Sequence, residues 1–486
     1  MIDYKKIIAG VIMCVIAIIS YGTEAKADEL EMDVVLEQQN ENGDVSVLMD
    51  GEHKTSISFK KNDKINISAK DNDKIAGIYI IWDSPISDWT MTVDGKDMKC
   101  GQYGFIHEYI PVGEGASNLT INIPSDNIAI SDIRIFSEGQ LPSDVQVWNP
   151  PCEKADIMLI SSHSDDELLF FGGIIPIYSF KYDADIQVVY MTEFWSKEKV
   201  REHEKLDGLW MAGVDNYPVC GNFYDEYVLN IKSAKEFFGV EPVTEYITSV
   251  VRQFKPQIVV THDFKGEYGH GLHLLVAECL ATVVDNSMKE DYYPDSVKKY
   301  GVWDVPKTYI HIYKENALRL DLSVAIKERD GKTALQVVKD AYNLHVSQHR
   351  YWFYVSDTYE YSCADFGLYR TTVGLDTGND MLEHLKTYKV QAKEEQERLE
   401  QESREQESKE QASREQASKE QASREEESKE QASREEESRL AKAAKEKKQQ
   451  QTILIILIIL VIATGVGALL FGVKVKGTKK GRGRRQ

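Results

Sequence analysis

Two polar clusters in the sequence carry residue types suited to metal chemistry. His163-Ser164-Asp165-Asp166-Glu167 follows directly on the apolar run Ile157-Met158-Leu159-Ile160. Thr261-His262-Asp263-Phe264-Lys265-Gly266-Glu267-Tyr268-Gly269-His270-Gly271-Leu272-His273 begins as another apolar run, Gln257-Ile258-Val259-Val260, ends. Each is weak evidence alone, because acidic residues also cap helices. Together they can offer two imidazoles and one carboxylate to one ion, with a fourth position left for water. That is the ligand count of a catalytic zinc centre. A nitrogen and oxygen donor set of this kind also accepts iron or cobalt.

The surrounding elements are those that would position such a site. Strand-like runs at 157–160, 186–191 and 257–261 alternate with helical patterns at 167–178, 199–214, 243–254 and 272–284. This alternation predicts an α/β domain with a parallel sheet. Ligands in such sheets sit at the carboxyl ends of the strands, where both clusters fall. Upstream, residues 28–140 alternate with a period of two between Asn-Asp and Asp-Gly turns, which predicts an all-β sandwich of the jelly-roll kind. Its aromatics Trp82, Trp89, Tyr103 and Tyr109 have two readings, a sugar-stacking platform or core filling. Residues 141–151, with Pro142, Pro150 and Pro151, read as a linker.

The two clusters, in this order, resemble the PIG-L/LmbE family of zinc-dependent N-deacetylases, which act on N-acetylglucosamine-type sugars. The resemblance covers residues 152–385. Arg201-Glu202-His203-Glu204 with the following 209–214 resembles that family's Arg-x-x-Glu helix, and His345-Val346-Ser347-Gln348 its late His-x-Ser-Gln segment. The resemblance implies His163, Asp166 and His273 as ligands of Zn2+, Asp165 as general base, a protonated His270 facing the developing oxyanion, and Arg201 as a substrate contact. Two positions depart from the pattern. Ser164 stands where Pro is usual, and Leu272 where Asp is frequent. Glu167 is expected to support a ligand or cap the helix, and His262 to support its loop. His203 is expected on a helix surface. His107 lacks the second histidine of a metalloprotease helix and is set aside.

The termini speak of location. Lys5 and Lys6, an apolar run at 7–20, and Ala25-Lys26-Ala27 read as a signal peptide over residues 1–27. Residues 452–473 are uncharged and apolar, and a basic segment, 474–486, follows. They predict a single transmembrane helix with a cytoplasmic tail, so the catalytic part would be extracellular. Residues 386–451 carry a five-residue repeat of the type Glu-Gln-Ala-Ser-Arg. Glu stands four residues before Arg or Lys in it, which favours a solvated helix over a disordered spacer. A period of five makes no apolar stripe, so a coiled coil is not expected.

Composition bounds the rest. The chain has 486 residues and a net charge of −21, from 79 acidic against 58 basic residues. Such an acidic chain repels phosphate backbones, and nucleic acid is excluded as a partner. Six widely spaced cysteines, Cys14 among them, do not make a disulfide scaffold. The expected function is therefore an extracellular, membrane-anchored deacetylase acting on an amino sugar or cell-surface glycan. The competing reading is a catalytically degenerate glycan-binding protein, and bound metal separates the two.

Overall fold

The computed structural model describes residues 26–37 and 44–469, with side chains given for 26–37, 44–113 and 115–462. Most of the anticipated leader, 1–25, and the basic tail, 474–486, lie outside the described residues. The chain divides into two compact units, 1–393 and 394–486.

Alternation in the first part of the chain produces nine strands. They are β1 (Met32–Glu37), β2 (Ile57–Phe59), β3 (Lys64–Ala69), β4 (Ile75–Trp82), β5 (Trp89–Val93), β6 (Lys96–Cys100), β7 (His107–Ala116), β8 (Asn118–Asn122) and β9 (Ile128–Phe136). They form two antiparallel sheets, ordered β1-β3-β8-β5-β6 and β2-β9-β4-β7. The β5–β6 hairpin turns on Asp94-Gly95, both with positive φ (44° and 83°), the chemistry a two-residue turn needs. Ile65, Ile67, Met91 and Ile121 of one sheet share a buried cluster with Ile78, Ile80, Ile130 and Ile133 of the other. The second sheet is also covered on its far side, where Tyr79 and Ile81 meet Ala27 and Val145.

The aromatic residues do not make one platform. Trp82 and Trp89 are buried edge to face, 5.0 Å apart, and both indole N–H groups donate to Glu108 Oε2. Only Tyr103 of the four is well exposed. Residues 141–151 are not a loose linker either. Val145, Gln146 and Trp148 are buried, and Trp148 packs on Trp210 and Tyr217. An apolar side chain every few residues turns the connection into a strap.

The second part is built on one seven-stranded sheet. Its strands are β10 (Ile157–Ser161), β11 (Ile186–Glu193), β12 (Val219–Tyr224), β13 (Ile258–Thr261), β14 (Lys307–His311), β15 (Ala317–Arg319) and, after a small β16–β17 hairpin (Ala325–Ile326, Lys332–Thr333), β18 (Asp365–Thr371). The order is β12-β11-β10-β13-β14-β18-β15. The first five run parallel, and β18 and β15 pair antiparallel at one edge. The sheet is therefore mixed rather than purely parallel, with β18 running against both its neighbours, β14 and β15. Strand order reverses between β10 and β13, which makes their carboxyl ends the expected binding crevice.

Helices α1 (Asp166–Leu169), α2 (Val200–Ala212), α3 (Val240–Phe254), α4 (Gly271–Val284) and α5 (Ala334–Tyr342) position the polar residues. The helix expected at 167–178 is broken after Leu169. At Gly172 a Cβ would lie 2.3 Å from Val338 Cγ1 on α5, so glycine buys a close approach at the cost of helix continuity. α6 (Tyr388–Leu469), which supplies the described part of the second unit, is one continuous helix, and its described side chains are exposed from Lys389 onward. Arg404 pairs with Glu400 and Arg434 with Glu430, as the repeat predicts. Among the described residues no helix is long and apolar enough to cross a membrane. The anticipated span at 452–473 runs past the described side chains, which end at 462. Five cysteines, Cys100, Cys152, Cys220, Cys279 and Cys363, are free thiols.

Candidate active site

β10 and β13 deliver the two clusters to one place. Ser162, just past β10, donates its N–H to His262 Nε2 (3.0 Å), just past β13. Ser161 Oγ donates to the His163 carbonyl oxygen (2.9 Å) and tightens the exit from the strand. Asp166 then opens α1, with its side chain folded back onto His163.

Three ligand atoms converge there. Asp166 Oδ2 lies 2.9 Å from His163 Nδ1 and 3.1 Å from His273 Nε2, and the two nitrogens are 3.3 Å apart. All three residues are buried. A tetrahedral ion with bonds of about 2.0–2.1 Å needs ligands roughly 3.3 Å apart. The triangle fits a dication in both spacing and donor chemistry.

Glu267 orients this set. Its Oε2 accepts from His273 Nδ1 (2.7 Å) and His262 Nδ1 (2.9 Å), and its Oε1 from His311 Nδ1 (2.6 Å) and the Asp263 N–H (3.1 Å). Donation from Nδ1 leaves His273 Nε2 with its lone pair toward the ion, the arrangement carboxylate partners impose on histidine ligands. Burial favours a protonated Glu267, but His262 and the hydrogen bonds from His262, His273 and His311 outweigh it and hold the carboxyl well below its ordinary range. His262 lies within reach of Asp166 and His273. Both its nitrogens are already engaged, and its ring stacks 3.9 Å from His273. It supports the loop, as expected.

Asp165 stands at the rim of this centre in a strained backbone, φ 142°. Such strain costs on the order of 1–3 kcal/mol and is typical of functional positions. Its N–H donates to Glu167 Oε2 (2.8 Å), which gives Glu167 its supporting role. Arg201 Nη2 donates to the Ser164 carbonyl (2.8 Å) and lies 3.3 Å from Asp165 Oδ1. Its guanidinium sits 3.8 Å over the Phe194 ring. Burial pushes the Asp165 carboxyl up to about 7; Arg201 opposes this and Asp166 adds to it. Arg201 thus faces Asp165 and is buried beside it, where the sequence suggested a substrate contact.

His270 caps α4, its Nδ1 accepting the Leu272 N–H (3.3 Å). The backbone therefore fixes the ring, and Leu272 supplies that bond without the carboxylate frequent at its position. Burial, with His163 and His273 alongside, drives His270 far below its ordinary value. That setting favours a neutral ring with its proton on Nε2, where the resemblance implied a protonated one. A dication nearby strengthens that preference.

Sequence reasoning did not assign Glu267, His311 or Asp225. Glu267 was in plain view inside the second cluster. His311 ends β14, so the same strand-end argument finds it once β14 is recognised. Asp225, 3.8 Å from His163 Nε2, lies beyond β12 with no motif to mark it. The late segment binds α2: Ser347 donates N–H and Oγ to Glu204, and His345 Nε2 lies 3.4 Å from Glu167 Oε1.

Residues 158–284 match the family described as PIG-L, GlcNAc-PI de-N-acetylase. The chain is 28% identical over 193 residues to the 1D-myo-inositol 2-acetamido-2-deoxy-alpha-D-glucopyranoside deacetylase of Rhodococcus opacus (strain B4), covering 34% of this chain and 64% of the relative. It is 27% identical over 188 residues to the enzyme of the same description from Rhodococcus jostii (strain RHA1), covering 33% and 63%. The chain thus spans slightly under two thirds of the length of these curated relatives. Among solved structures it is similar to N,N'-diacetylchitobiose deacetylase from Pyrococcus horikoshii, at 18% identity and a TM-score of 0.32, over 40% of this chain and 71% of that one.

Proposed function

We propose that this chain is a metal-dependent deacetylase that removes the N-acetyl group from an N-acetylglucosamine-type sugar in a cell-surface glycan or glycoconjugate. The observation that carries the reading is the His163–Asp166–His273 triangle with Asp165 at its edge. The named activity of the relatives supports the substrate class.

His163, Asp166 and His273 would hold the ion, for which Zn2+ is the proposed identity. When bound, it supplies Lewis acidity that acidifies a water and polarises the amide carbonyl. Asp165, pushed up to about 7, is suited to take a proton from the attacking water and return it to the departing amine. The Nε2–H of neutral His270 is a donor for the carbonyl oxygen as charge develops on it. Arg201 and the Glu167 contact to the Asp165 N–H keep Asp165 in its strained position. Exposed Tyr227, 5.1 Å from the His270 ring, and exposed Trp352, 6.4 Å from Tyr268, offer apolar faces to a sugar ring.

The proposed setting is the outer face of a membrane, with 1–27 as leader, 452–473 as anchor and the charged helix as spacer. At about 1.5 Å per residue, some 60 helical residues reach roughly 90 Å. The β-sheets of 32–136 would bind carbohydrate or brace the catalytic half. The test is acetate release by the full chain from N-acetylglucosamine, its oligomers and glycoconjugates, with and without added zinc. Metal-dependent release that vanishes in Asp165→Asn supports the reading. Zinc-loaded protein that releases acetate from none of these removes the proposed substrate class. Fractionation of expressing cells tests the location, and a wholly soluble full chain refutes the anchor.

A further inference from the structure

A second group of histidines lies where the antiparallel sheets meet α2. His53 comes from the loop before β2, and His107 opens β7. His203 and Asp207 stand one turn apart on α2. His107 Nε2 lies 3.0 Å from His203 Nδ1, and His53 Nε2 lies 2.8 Å from Asp207 Oδ2. His107 Nδ1 is 3.6 Å from Asp207 Oδ1. One nitrogen from each imidazole falls within 4.8 Å of the other two. His203, expected on a helix surface, is fully buried, and so in effect is His107.

Two nitrogens in this group, His53 Nδ1 and His203 Nε2, are buried without a hydrogen-bond partner. Buried polar atoms left this way are costly unless something takes up their lone pairs. Water does so elsewhere in proteins, but three imidazoles drawn together, with a carboxylate against two of them, are a stronger match to a cation. We infer that His53, His107, His203 and Asp207 form a second metal site, which takes a zinc-like divalent cation and fastens the antiparallel sheets to the α/β half.

The donor set is three nitrogens and one oxygen, the closed four-ligand count of a structural zinc site. Imidazole also selects for this class of ion over magnesium or calcium. Orienting partners are present. Tyr79 Oη lies 3.0 Å from His107 Nδ1, and Gln146 donates to Asp207 Oδ1 (2.6 Å). His107 and His203 already stand 3.0 Å apart, so closing the set to ligand spacing of roughly 3.3 Å falls to His53, the least buried of the three rings. An entry path exists as well. A cavity of about 830 Å³ is lined by His53 and Asp207, with Asp50 and Asp132 nearby, and no residue of the His163 centre lines it.

The site does not depend on the deacetylase reading, and its test reads metal rather than turnover. The full chain is stripped with a chelator, then titrated with Zn2+ and separately with Co2+, and bound metal is measured by mass spectrometry. The wild type is expected to hold about two equivalents, and His163→Ala/His273→Ala about one. His53→Gln and His203→Gln should each lose about one equivalent from the wild type. In the His163→Ala/His273→Ala background, added Zn2+ should raise the thermal midpoint, and His53→Gln should abolish that rise. His53 lies at the edge of the cluster, so its variant carries the test if His203→Gln does not fold. No bound metal in His163→Ala/His273→Ala, or a metal content that neither His53→Gln nor His203→Gln lowers, overturns the site.

Discussion

Replacing Glu267 by Gln should weaken metal binding at the His163 centre while leaving the fold intact. The carboxylate accepts four hydrogen bonds, three from imidazoles. Gln has one acceptor oxygen, so its NH2 must face one of the two donor pairs. The less harmful choice keeps the oxygen toward His262 and His273. His262 cannot change tautomer, because its Nε2 already accepts the Ser162 N–H. The NH2 then confronts His311 and the Asp263 N–H, and two buried bonds are lost. His273 keeps a neutral acceptor but loses the anion that raises the basicity of its Nε2. Loss of such an orienting partner typically costs 10- to 100-fold in metal affinity, or about 1.4–2.7 kcal/mol. The assay is the zinc concentration that half-restores acetate release to chelator-stripped protein. It should rise by that factor in Glu267→Gln and further in Glu267→Ala, with rate recovered at saturating zinc in the Gln variant. A Glu267→Gln half-point within twofold of wild type would refute the claim that Glu267 sets the His273 ligand.

Asp165→Asn should keep its metal and lose about 10²–10⁴-fold in turnover, the worth of a positioned general base; retained turnover in zinc-loaded protein sinks that role. In the metal-free chain, burial works against a charged His273, but Asp166 and Glu267 raise it to about 10. Below that value an incoming ion must displace a proton, so apparent zinc affinity should climb about tenfold per pH unit between roughly 7 and 9. Chelator competition checks this, and a flat profile contradicts it. By the same shift, the stabilisation His273 gives the metal-free fold is complete below about 6.5 and fades as pH rises towards about 10. Gly208→Ala places a Cβ 2.9 Å from both His345 Nε2 and Leu168 Cδ1. It should cost about 1–3 kcal/mol of stability by overpacking, read as a lowered thermal midpoint; an unchanged midpoint means α2 has more room than these distances allow.

The candidate centre was legible as a cluster because its histidines and carboxylates sit beside strands whose apolar runs are visible in the sequence. His163 and Asp166 are three residues apart, and His270 and His273 are three apart, so each half of the site is local. The rest depended on contacts between distant segments. No local pattern tells that β14 ends in a histidine pointing at Glu267, or that the sheet acquires an antiparallel edge. Trp82 and Trp89 look like a binding platform in sequence because nothing there reveals Glu108, 19 and 26 residues away, receiving both indoles. The downward shift of His270 was equally hidden, since it follows from burial and from neighbouring rings rather than from its motif.

His203 is the sharpest case, and it shows how α2 joins the two halves of the first unit. In sequence His203 reads as a helix-surface residue, flanked by Arg201, Glu202, Glu204 and Lys205. In the folded chain all four are buried: Arg201 meets Ser164 and Asp165, Glu204 meets Ser347, and Glu202 pairs with Lys205. Arg201, Glu204 and Gly208, spaced three and four apart, face the catalytic side, where they meet Asp165, Ser347 and His345. His203 and Asp207, also four apart, face the antiparallel sheets and meet His107 and His53. The polarity of α2 therefore reflects two buried clusters on neighbouring faces, not exposure. A shift of this helix along its axis would move Arg201 against Asp165 and His203 against His107 together. A cation held at His53, His107, His203 and Asp207 would fix the helix that fixes the proposed general base.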